Sequence, residues 1–164
     1  MLCPLELEAP SGEVQLGETG VKDENRGFRI RDDGWTQVKT VMDSGCSESV
    51  CPPTLAPDYP VTDSAGSLRG QHYIAASDHR IPNLGEHFFN IVTEDGLDSK
   101  LKYQVAEVSR PLNSVSDICD NGNRVLFGSS GGVIYNVESG RETYFTREEG
   151  NYILKFWIAP FENK

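Results

Sequence analysis

The chain is 164 residues long, and 25 acidic against 15 basic residues give it a formal net charge of -10. A surface of that sign repels nucleic-acid phosphates and anionic lipid, which excludes both as main partners, and no apolar run approaches the roughly 20 residues of a membrane-spanning helix. A hydrophobic content of 37% with 16 glycines suits a turn-rich β domain long enough to bury a core.

Residues 1–25 are acidic, carry Pro4 and Pro10 and show no sustained period, so a flexible acidic N-terminal arm or a processing segment is expected there, followed by one domain over 26–164. The start, Met1-Leu2-Cys3-Pro4-Leu5-Glu6, has neither the basic region nor the apolar core of a signal peptide. An intracellular, cytoplasmic and reducing compartment follows, in which Cys3, Cys46, Cys51 and Cys119 read as free thiols. Cys46 and Cys51 have no second clustered pair, and His72, His79 and His87 are scattered, so no metal or other cofactor is expected.

Phe28 to Arg31 alternates like a short strand, and Asp32-Asp33-Gly34 turns it into a second strand from Trp35 to Met42. Ser49-Val50-Cys51 continues as a short strand that Pro52-Pro53 stops. Thr54 to Gly70 is loop-like. Gln71 to Ala76 and Ile81 to Gly85 form a hairpin with an exposed tip at Ser77 to Arg80. His87 to Thr93 is mostly apolar, Glu94-Asp95-Gly96 turns it, and Leu101, Tyr103 and Val105 alternate with polar partners. One short helix is predicted, with Ser114 as its cap, Asp117 at capping-box spacing and Gly122 at its close. Strands are predicted over Val125–Phe127, Val133–Val137, Thr143–Thr146 and Tyr152–Ile158, the last two joined at Glu149-Gly150.

The organising stretch is Val41 to Pro53, centred on Asp43-Ser44-Gly45. A strand that ends in Asp-Ser-Gly is one way to hold a carboxylate at the floor of a cleft: glycine tolerates a tight turn and the hydroxyl can bond nearby backbone. The same tripeptide is ordinary turn chemistry, so it needs its neighbours.

Those neighbours carry a resemblance. Val41-Met42-Asp43-Ser44-Gly45-Cys46 resembles the catalytic loop of retropepsin-like aspartic proteases, the retroviral and retrotransposon type. Ala75 to Glu86 resembles their flap hairpin, and Phe88–Val92 with Tyr103–Val108 the strand pair that follows. Pro111 to Cys119, continuing through Phe127, resembles the segment around the helix in copia-type members. The likeness covers residues 35–128, with residues 129–164 as C-terminal strands that match more loosely. Cys46 stands where the family has Ala, and the Gly-Arg-Asp/Asn of retroviral members is missing before the helix.

The resemblance implies an all-β fold: a retropepsin-like half-barrel with one short helix, working as a symmetric homodimer. It implies an aspartic endopeptidase, derived from a retroelement polyprotein or a domesticated descendant of one, that cleaves extended peptide or polyprotein substrates. Two carboxylates about 3 Å apart share one proton in such an enzyme. With one Asp-Ser-Gly per chain, the second Asp43 comes from the partner copy. Catalysis falls to Asp43, Ser44 and Gly45, and substrate covering to the flap residues Ala75, Ala76, Ser77, Asp78, His79, Arg80 and Ile81. The alternative is the same fold as a catalytically weak or inactive module for dimerisation or peptide binding. A third reading is a β scaffold in which Asp-Ser-Gly is only a turn.

Overall fold

The computed structural model describes residues 26–75 and 77–162, so the predicted arm at 1–25 and Ala76 of the hairpin tip lie outside the described residues. Among the described residues the fold is mostly β-sheet, with two short helices. Strand β1 (Phe28–Ile30) runs antiparallel to β2 (Thr36–Asp43), and every second residue of β2 from Thr36 to Met42 is buried. That period is what places one row of β2 in the core. The elements that follow are β3 (Val50–Cys51), α1 (Ala65–Leu68), β4 (His72–Ile74), β5 (Arg80–Pro82), β6 (Gly85–Thr93), β7 (Asp98–Val105) and β8 (Leu112–Ser114). The chain then continues through α2 (Val115–Asp120), β9 (Asn123–Phe127), β10 (Gly131–Asn136), β11 (Glu142–Glu148) and β12 (Asn151–Ile158).

The sheet closes on itself. Strand β2 pairs in parallel with β8, β8 with β3, β3 in parallel with β7, β7 with β6, β6 with β12, and β12 back with β2. One edge of β12 lies along β2, and the other is divided between β11 and β6. From there β11, β10 and β9 continue as an antiparallel meander. Val38, Met42, Phe89, Tyr103, Leu154 and Phe156 fill the ring. Within it the Tyr103 hydroxyl donates to Asn113 Oδ1, which also accepts from Thr40 Oγ1 at 3.2 Å, so β7, β8 and β2 are joined by polar side chains as well as by backbone. Burial holds the Tyr103 phenol neutral by pushing its pKa well above the ordinary value.

The hairpin β4–β5 stands apart as its own two-stranded sheet, with Tyr73 opposite Ile81. The sequence predicts one short helix, and the described residues form two. The extra one, α1, lies in the stretch predicted to be loop. A four-residue helix is too short to display an apolar period. Its capping box is built by Ser64 and Ser67, each side chain bonding the other's backbone N–H. No helix among the described residues is long and apolar enough to cross a membrane.

Candidate active site

Asp43 is the last residue of β2, paired in register with Ser114 at the end of β8. Two neighbouring strands thus stop together, and the chain turns away from both. The turn is an Asx type: Gly45 N donates to Asp43 Oδ1 at 2.8 Å. The Asp43 side chain is half-buried, whereas Ser44 and Gly45 are exposed.

Residues 46–49 are fixed from beneath by the start of α2. Ser114 Oγ donates to the Cys46 carbonyl at 2.6 Å and accepts from Asp117 N at 3.1 Å. The Asp117 carboxylate does not return to the Ser114 N–H as a local capping box would. It accepts from Ser49 N at 3.0 Å, while Ser49 Oγ accepts from Ser114 N at 2.9 Å. The box is therefore closed by Ser49, a residue far away in sequence, and the loop after Asp43 is locked to the helix.

The hairpin reaches the same region. Its tip is held by Asp78 N donating to Ala75 O and by Ala75 N donating to His79 O, both at 2.9 Å. Asp78 takes φ +61°, which Asp tolerates better than most residues. Ser77, Asp78, His79 and Arg80 are exposed, Ala75 is half-buried and Ile81 is buried. Tyr73 and Ile81 pack with Cys46, Val50 and Leu112, and Val41 and Ala75 join their margin. The two stretches singled out in the sequence are thus brought together through one small apolar cluster separate from the ring core.

A polar network that the sequence does not announce runs beside this cluster. Gln71 Nε2 donates to Glu48 Oε1 at 2.8 Å. Asn83 Nδ2 donates to Gln104 Oε1 at 2.9 Å and lies 3.4 Å from Gln71 Oε1, and Gln104 Nε2 donates to Glu86 Oε1 at 3.3 Å. Asn83 Oδ1 accepts from Gly85 N at 2.9 Å. Glu48 also lies beside the fully buried Tyr73, whose phenol is pushed far above its ordinary pKa by burial first and by the Glu48 charge second. Glu48, Gln71, Asn83, Glu86 and Gln104 are scattered along the sequence, so no pattern in it marks them as a group.

Cys51 and Cys119 are free thiols, as expected. Cys46 is disulfide-bonded, which corrects the expectation of four free thiols. That expectation rested on compartment alone and carried no information about which sulfurs meet. Burial pushes the Cys51 thiol far above its ordinary pKa, so it is no nucleophile. Among the described residues no cluster of His, Cys, Asp or Glu could hold a metal ion. A cavity of about 740 Å³ opens between β7, α2 and the meander, but neither Asp43 nor the hairpin lines it.

No family model, no curated protein and no solved structure matches the chain. Chemically, the Asp43 turn offers one carboxylate at the end of a rigid strand, with a hairpin packed against its flank.

Proposed function

We propose that this protein is an aspartic endopeptidase of the retropepsin-like type, active as a symmetric homodimer. The observation that carries the reading is the shared cluster: the residues flanking Asp-Ser-Gly and the base of the 72–82 hairpin pack on each other. A carboxylate at a strand end, next to a hairpin with a polar exposed tip, is the arrangement needed to activate water beneath a bound peptide and exclude bulk solvent above it. One carboxylate per chain is half a dyad. The second copy contributes the other Asp43, and between them the two hold a single proton. One Asp43, ionised, draws a proton from water while the other, protonated, polarises the scissile carbonyl. The rate is then bell-shaped in pH, and both limbs belong to the pair. A cysteine mechanism is disfavoured by the disulfide at Cys46 and the inert thiol of Cys51.

The test is cleavage of an unfolded protein substrate at mildly acidic pH by the wild type and by Asp43→Asn. The variant should fold and dimerise as the wild type does but lose about 100-fold or more in rate, since an amide is no general base. A statine-type peptide should inhibit the wild type. Retention of more than about a tenth of the rate in the variant would defeat the assignment.

A further inference from the structure

We propose that Glu48 is a positioning residue that latches the hairpin to the Asp43 loop. The inference rests on the protease reading for its effect on turnover, but its structural half stands independently. Glu48 follows Asp43 on the turn that leaves β2, and it belongs to the segment locked down by Ser49 and Ser114. Its partner, Gln71, immediately precedes β4, the first strand of the hairpin. The Glu48 carboxylate accepts from Gln71 at 2.8 Å and lies beside the phenol of Tyr73, two residues further on. A bond to an ionised acceptor is about twice as strong as its neutral counterpart. The contact therefore ties the base of the hairpin to the loop that follows Asp43.

Gln71 is itself braced. Its backbone N donates to Gly66 O at 2.9 Å, its backbone O accepts from Asn83 N at 2.9 Å, and its side-chain oxygen faces Asn83. Asn83 sits where β5 hands over to β6 and continues the chain of amides to Gln104 and Glu86. A shift of the hairpin base must therefore break either the Glu48–Gln71 bond or the amide chain behind it. Among the described residues of the exposed tip, by contrast, the backbone bonds are those of its own turn, Asp78 N to Ala75 O and Ala75 N to His79 O. The latch thus acts at the base of the hairpin, through Gln71, and not at its tip.

The experiment compares the wild type with Glu48→Gln, Gln71→Glu and the exchanged pair Glu48→Gln/Gln71→Glu. Two readouts are taken: hydrogen exchange at the Ala75 and Asp78 amides, with β12 amides as an internal reference, and kcat and KM for a peptide substrate. Glu48→Gln is isosteric and should speed hairpin exchange by about 3-fold or more, because only the charge is lost. Gln71→Glu, which sets two carboxylates against each other, should speed it by about 10-fold or more. The exchanged pair restores an amide-to-carboxylate bond and should return exchange to within about 2-fold of wild type. Turnover should follow, with kcat falling and KM rising together in the single variants and recovering in the pair.

Hairpin exchange unchanged in both single variants, or no recovery in the pair, would overturn the latch. Exchange that recovers while kcat/KM stays low would overturn the positioning role, because Glu48 would then be touching substrate. A wild type without any peptidase activity would remove the protease reading alone, while the exchange data still decide the latch.

Discussion

His87 lies in β6, buried, with its ring stacked on Phe89 at 4.8 Å between centroids. Its Nδ1 is 3.0 Å from the Pro60 carbonyl. A carbonyl can only accept, so Nδ1 carries the proton and the neutral ring leaves Nε2, itself buried, without a partner. Charging the ring would place a second N–H in the same dry position. Burial accordingly lowers the His87 pKa, and the Pro60 bond offsets this only in part. Sign matters here: the unfolded chain takes up the proton more readily than the folded one. The contribution is therefore fully present above the ordinary imidazole value of about 6.5 and is lost as pH falls from there through the depressed folded value. Thermal melts of wild type and His87→Asn between pH 7.5 and 5 should show it. The wild type should lose several degrees more of Tm over that range than the variant, and parallel curves would contradict the assignment. From the sequence His87 is legible as a strand histidine, but not as a buried one, because burial depends on Pro60 and Phe89 closing over it.

At the level of elements, alternation made the long strands legible, and turn glycines located their ends. Gly34 at φ +89° and Gly150 at φ +84° sit in turns that the sequence marks. Alternation shows an element of three or four residues only where polar and apolar positions happen to alternate, as in β1, and β8 and α1 lack that pattern. β8 is seen in the sequence only as the segment before a helix, yet it is the strand between β2 and β3 that completes the floor around Asp43. α1 is missed for the same reason, and it has a consequence for stability. A Cβ on Gly66 would lie 2.0 Å from Gln71 Oε1 and 2.6 Å from Asn83 Nδ2. Alanine normally gains up to about 1 kcal/mol over glycine inside a helix. Here it would push apart the amides that brace the hairpin, at about 1–3 kcal/mol for buried partners left unpaired. Gly66→Ala should therefore destabilise the protein by about 1–2 kcal/mol in urea unfolding, and a gain in stability would show that the amide chain is slack.

For the whole molecule the governing facts are a net charge of -10 and one Asp-Ser-Gly per chain. If both Asp43 side chains are needed, activity belongs to the dimer, and two like-charged copies must approach against their own repulsion. Specific activity should fall on dilution from micromolar to nanomolar protein and should recover with added salt, which screens exposed charge. Activity linear in concentration, from a species sedimenting as a monomer, would contradict the dimeric site. Sequence made the pairing of Asp-Ser-Gly with a hairpin legible as a resemblance. It did not reveal Glu48, Gln71 or Asn83, because single amides carry no period and their meaning lies in which strands the topology sets side by side.

The closure of the ring by β12 carries a kinetic consequence. The strand that presents Asp43 gets its partner from the far end of the described chain: Val41 lies opposite Ile153, and Thr36 opposite Ile158. Contacts between such distant residues require a long loop to be closed before any of them is rewarded, so chains of this topology fold slowly, in milliseconds to seconds. During synthesis β2 and β6 wait with open hydrogen-bonding edges until β12 has emerged. A ribosome-bound chain that has already made the Asp43 turn therefore still exposes two strand edges on which a neighbouring nascent chain can pair.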